Sequence, residues 1–171
     1  MERHRQVYGI ILRRYPIGES HAGVTLLTSE EGLFSAVAHG VRNHKSSLRG
    51  LISPFTDGCF QVYHEPVNNR RKIIDVYDQT EHPAIREDLE RYYTASLWCE
   101  IPLKSHGGGE AAAYVYELLH EGLKLLADCP RTQIRRLSIQ FLLRWLEGVG
   151  SFDDAELGSL GEAVADYVQH S

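Results

Sequence analysis

Cysteine is scarce in this 171-residue chain. Cys59, Cys99 and Cys129 are odd in number, widely spaced and set in apolar surroundings, which excludes a disulfide framework and reads as small hydrophobes of a reducing compartment. With no CxxC pair there is no thiolate cluster for a metal, and no metal or other cofactor is expected. Long apolar runs are missing as well: none approaches the roughly 18 residues that a membrane helix needs. The N-terminal Met1-Glu-Arg-His-Arg5 leads into a strand-like segment rather than a signal-peptide core. These absences lead us to expect a soluble, cytoplasmic protein with no membrane partner. Internal repeats and low-complexity tracts are also absent. One local absence is more pointed, because no Asp or Glu occurs between Gly32 and Thr56.

That acid-free window holds Arg42, Lys45 and Arg49 at spacings of three and four residues, with His39 and His44 among them and glycines at both ends. Such a segment reads as a mobile cationic loop able to lay point charges along a phosphate backbone. A merely solvated connection is the commoner fate of a charged loop. The overall charge of −5 hides an asymmetry around it. Residues 1–80 carry ten Lys/Arg against eight Asp/Glu, whereas residues 81–171 carry eight against fifteen. A mildly basic front half and an acidic back half suggest an anion-binding module joined to one of different purpose.

Short strand-like runs fill the front half: residues 7–12, 22–28, 33–38, 55–63 and 71–77. Turn residues separate them, Tyr15-Pro-Ile-Gly18 after the first and Ser29-Glu-Glu-Gly32 between the second and third, which make a hairpin. From His82-Pro83 the period changes to that of helices. Ile85, Leu89, Tyr92, Tyr93 and Leu97 form one apolar stripe, residues 115–126 a second, and Ile134, Leu137, Phe141 and Trp145 a third. Leu157, Leu160, Val164 and Tyr167 give a fourth, begun near Asp153 and Asp154. The expected architecture is an α+β multidomain fold, with a five-stranded OB-type barrel in residues 1–80 and an all-α helical domain in residues 81–171.

Most chemical motifs fail on inspection. Gly40-x4-Lys45-Ser46 lacks the second glycine of a phosphate-cradling loop, and Gly107-Gly-Gly109 reads as a flexible linker. His39 and His44 have no partners at metal spacing, and no Ser/Cys, His and carboxylate trio is marked out for catalysis, so no enzyme is expected. The basic residues are more coherent. Arg13 and Arg14 close the first strand, Arg42, Lys45 and Arg49 occupy the loop, and Arg70-Arg71-Lys72 opens the fifth strand. If these edges converge they form a groove that tracks a nucleic-acid backbone, where Tyr15, Phe55 or Tyr63 could stack bases.

The ordered series Gly9-Ile-Ile-Leu-Arg13, Tyr15-Pro-Ile-Gly-Glu-Ser20, Val24-Thr-Leu-Leu-Thr28 with Glu31-Gly32, Ser35-Ala-Val-Ala38 with Gly40-Val-Arg42, Lys45-Ser46, Pro54-Phe55 and Ile85-Arg-Glu-Asp-Leu89 resembles the DNA repair protein RecO family. The resemblance covers the barrel well and the helices more loosely. It implies an OB fold, a helical C-terminal domain, and a recombination mediator. Such a mediator binds single- and double-stranded DNA, anneals complementary strands and works with RecR and the single-stranded DNA-binding protein SSB. Many family members carry a four-cysteine zinc module that these three cysteines cannot supply. On the third helix Arg131 and Arg135 flank the apolar face that includes Phe141, an arrangement that suits the acidic, hydrophobic tail with which SSB ends. The rival readings are an adaptor that contacts protein only and a hydrolase built on one of the histidines.

Overall fold

A computed structural model describes residues 4–68 and 70–150. Five strands, β1 (His4–Ile17), β2 (His21–Thr28), β3 (Gly32–Ala38), β4 (Asp57–Glu65) and β5 (Arg70–Thr80), close into a barrel in the order β1-β2-β3-β5-β4. This is the expected OB-type barrel, and helices follow it. All neighbours are antiparallel except β3 and β5, which run parallel and share only the registered pairs Val37–Lys72 and Ala38–Ile73.

The first strand is longer than its apolar run predicts. It continues through Arg13, Arg14, Tyr15 and Pro16 to Ile17, and the turn begins at Gly18. A register slip between Ile11 and Arg13 explains the extension. The extra residue bends the strand, so its first half pairs with β4 and its second half with β2. The apolar run is continuous because both of its faces are covered. Ile11 points into the barrel with Val24 and Leu26, while Ile10 and Leu12 join Leu27 and Phe55 in a second cluster formed with the helices. Each such fully buried aliphatic side chain contributes about 1.5–3 kcal/mol.

The helical half comprises α1 (Pro83–Glu87), α2 (Leu89–Lys104), α3 (Ala112–Asp128) and α4 (Ile134–Gly148). Asp88 divides the first predicted helix in two: its backbone is extended, and its side chain accepts from the Arg91 amide at 3.1 Å as an N-cap. Of the predicted core stripe only Ile85, on α1, is buried. Leu89, Tyr92, Tyr93 and Leu97 are exposed, and Ala95, Trp98, Cys99 and Pro102 are buried instead. Two apolar stripes wrap α2, and the one that carries the larger ring wins the core. Trp98 stacks on Phe141 of α4 with ring centres 4.1 Å apart and planes 9° from parallel. On α4 the expected face is buried through Ile134, Phe141 and Trp145. The predicted fourth helix lies outside the described residues.

Gly107 is part of a packed joint and not a loose linker. It has φ +74° within the turn His106–Ala111, and a Cβ there would lie 2.9 Å from the Leu33 nitrogen. The helices therefore approach the start of β3 at backbone contact distance. Polar groups reinforce the same joint at its other side. Asp57, buried at the start of β4, accepts from the Tyr116 hydroxyl at 3.5 Å and contacts His120 Nδ1, both on α3. His82 is buried close by, just before α1, and burial lowers its pKa below the ordinary histidine value despite the opposing influence of Asp57.

Candidate nucleic-acid interface

Strands β1, β2, β3 and β5, with the end of β4, border a groove of about 660 Å³. Its floor is formed by the outward side chains of β3, Ser35 and Val37, and its walls include Tyr15, His21, His39, Arg70, Arg71 and Lys72. Alternation along β3 produces the floor: Phe34, Ala36 and Ala38 go inward and are buried, which leaves Ser35 and Val37 facing out. Alternation along β5 sorts the cations. Arg71 points the same way as buried Ile73 and lies over the Phe34 ring at 4.3 Å, with an ion pair to Glu31 at 3.4 Å. Lys72 points outward and pairs with Glu65 at 3.2 Å. Among the described residues, Glu65 is the one acidic side chain in the lining, against Arg70, Arg71 and Lys72.

The two groove histidines follow from the hairpin register. Ala22 faces Ala38 across β2 and β3, so His21 and His39, one residue further out, meet with ring centres 4.6 Å apart. His21 Nδ1 accepts from the Gly40 amide at 3.0 Å. Burial, then His21 and Lys72, hold the His39 pKa below the usual histidine value, with Glu65 opposing. His39 is therefore uncharged at neutral pH.

The sequence-predicted basic residues separate into three groups. Lys72 and Arg71 line the groove, and Arg13 stands beside it, its guanidinium 5.6 Å from the centre of the Tyr15 ring. Arg14 is structural, since its Nη1 donates to the Ile52 carbonyl at 3.0 Å and ties β1 to the loop that follows β3. Arg42, Lys45 and Arg49 are exposed on that loop. Arg42 donates to the Gly18 carbonyl at 3.1 Å, which places it at the groove's rim, and Arg49 donates to the His44 ring. The loop itself departs from the mobile strap expected of it. Val41, Leu48 and Ile52 are buried in the barrel core, and consecutive turns stitch residues 40–56 together.

Among the expected aromatic platforms, Phe55 is only 2% exposed and meets Tyr92 edge to face at 5.4 Å, inside the joint with the helices. Tyr63 pairs with His4 at 5.1 Å and does not line the groove, whereas Tyr15 does. Arg70 lines the groove with the rest of its basic triplet, and His21 and His39 are the groove side chains that the sequence reading left out of its site.

On the helical half, Arg131 is held by Asp88 at 3.0 Å and by Glu90 at 3.9 Å. Phe141 is 3% exposed and spends one face on Trp98. A small depression of about 90 Å³ between α3 and α4 is lined by Phe141 and Trp98 with Leu125 and Leu137, and its charged lining residues are Arg144 and Glu121. Among the described residues no helix is long and apolar enough to cross a membrane.

Fold and groove together define an OB-barrel protein with a helical C-terminal half and a basic cleft on its β2–β3 face. Residues 1–76 match the family described as Recombination protein O N terminal. The relatives include proteins named DNA repair protein RecO from Gloeobacter violaceus, 35% identical over 74% of this chain and 48% of the relative, and from Gloeothece citriformis, 34% identical over 72% and 43%. A third, from Pelotomaculum thermopropionicum, is 34% identical over 69% of this chain and 45% of the relative. The chain belongs to the RecO family. It spans about half the length of the curated relatives it matches.

Proposed function

We propose that this protein is a DNA-repair mediator, acting in the cytoplasm, that binds DNA along the β2–β3 groove and promotes annealing of complementary strands without any bond chemistry. The single observation that carries the reading is the convergence, in one cleft of an OB barrel, of Arg70, Arg71 and Lys72 with Tyr15 and two histidines. That face is where OB folds take oligonucleotides. Exposed Arg42, Lys45 and Arg49 continue the basic surface beyond the groove for a second strand or a duplex. Annealing follows if two strands share the neutralising surface, because the barrier lowered is repulsion between phosphates.

The binding energy comes mainly from counterion release, which predicts a salt dependence. Arg70 and Lys72 in the groove with Arg13 and Arg42 at its edge make about four phosphate contacts, at about −0.7 each in the slope of log K against log salt for a single strand. Affinity for a dT oligonucleotide should therefore fall about 50-fold between 50 and 200 mM salt. A protein that binds no oligonucleotide at low salt would leave the protein-only adaptor as the better reading.

The partners of this reading are RecR and SSB. For the SSB tail, the expected trio of Arg131, Arg135 and Phe141 has a neighbour in the α3–α4 depression, which shares Phe141 and adds Arg144 beside Glu121, and Arg131 is drawn to Asp88 and Glu90 of its own chain. An Arg144→Glu variant should bind a peptide copying an SSB tail at least several-fold more weakly, and Arg131→Glu should change little. The opposite ranking in fluorescence anisotropy would return the site to the start of α4.

A further inference from the structure

Tyr15 sits directly opposite Gly23 in the β1–β2 ladder. A Cβ at Gly23 would lie 2.2 Å from the tyrosine Cζ and 2.3 Å from Cε2. The ring thus lies down across the sheet on the one residue type that leaves room for it, and covers the bare backbone of its partner. At 39% exposure it stays open to the groove that it lines. A tyrosine in an ordinary outward rotamer would project away from the sheet and swing freely. Seated on Gly23, this ring is a pre-set flat surface, and the cations of Arg70 and Lys72 border the same cleft.

We infer that Tyr15 on its Gly23 seat is a nucleobase-stacking subsite, which makes the groove selective for single strands over duplexes. The inference rests on the DNA-binding reading and deepens it. A base in a single strand can splay onto the ring while its phosphates reach Arg70 and Lys72; a base in a duplex is already stacked and paired and offers only its backbone. Any base has a π-face, so the subsite is tolerant of sequence. The guanidinium of Arg13 lies over the ring at 5.6 Å from its centre, so an incoming base takes its place on the open face and the displaced cation is free to meet a phosphate.

The test compares a dT oligonucleotide with an abasic oligonucleotide of equal length, at one salt concentration, for the wild-type protein and for Tyr15→Leu, Tyr15→Phe and Gly23→Ala. The wild type should prefer the base-bearing strand by about ten-fold or more. Tyr15→Phe should keep that preference, and Tyr15→Leu and Gly23→Ala should erase it by weakening the base-bearing strand far more than the abasic one. A preference that survives Tyr15→Leu overturns the subsite and leaves phosphate binding intact. Failure of the wild type to bind either oligonucleotide defeats both the subsite and the DNA-binding reading. A circular dichroism spectrum of each variant confirms the fold, and Tyr15→Leu against Tyr15→Phe decides the matter should Gly23→Ala unfold.

Discussion

Replacing Arg70 and Lys72 together by glutamate is expected to weaken single-strand binding by two to three orders of magnitude at about 0.1 M salt. Each substitution removes a phosphate contact and installs a like charge, about 1.5–2 kcal/mol per position, and about 1.4 kcal/mol is a factor of ten. Loss of the Lys72–Glu65 pair costs little in the free protein, because a half-exposed ion pair contributes only about 0–1 kcal/mol. The companion variant changes Arg42, Lys45 and Arg49 to alanine, and it should weaken binding to all sequences alike and lower the salt slope by about 0.7 for each contact it removes. The groove variant should suffer more, since its cations border a stacking surface while those of the loop lie on an open one. If the loop variant loses more affinity than the groove variant, the strand runs over the loop, and the placement in the groove is wrong.

The second large effect concerns stability. Asp57→Ala should cost about 3–5 kcal/mol, because it leaves His120 and the Tyr116 hydroxyl in a buried joint without their shared acceptor. For a chain of this size that is a fall in melting temperature of about 10 °C. Asp57 and Glu65 stand at opposite ends of β4, about 26 Å apart at the usual rise per residue, so DNA affinity of the folded variant should match the wild type. A melting point unchanged within two degrees would show that the polar joint contributes nothing. Acid should act on the same place. The unfolded chain takes up the His82 proton near pH 6.5, whereas burial makes the folded protein resist it to lower pH. The folded state therefore loses stability as pH falls through 6.5 towards that lowered value, and holds it above. His82→Gln should flatten this part of the profile.

The barrel was legible because its signals are local. Gly32 and the acids before it mark the β2–β3 turn, and the basic triplet at residues 70–72 announces itself in any reading. What escaped depends on long-range packing. The bulge at Leu12 carries β1 past its apolar run and moves Arg13 and Arg14 from a strand end into the ladder. Their roles then part, one at the groove and one bonded to Ile52. Residues 39–56 read as a strap from their glycines and serines, yet Val41, Leu48 and Ile52 anchor them in the barrel. The first helix has two apolar stripes, and periodicity has no means of choosing between them. The meeting of His21 with His39 was within reach, since a turn that pairs Thr28 with Gly32 sets those two side by side at the far end of the hairpin.

The parallel join of β3 to β5 rests on two registered pairs, and Val37 and Lys72, which form one of them, also line the groove. The thinnest seam of the barrel is therefore the bed of its cleft. On the proposed reading, a strand that touches Ser35 and Val37 on one side and Arg70 and Lys72 on the other spans that seam, so its binding should raise the melting temperature of the barrel. Folding and occupancy are linked by mass action: a ligand at a hundred times its Kd adds about 2.7 kcal/mol to the folded form.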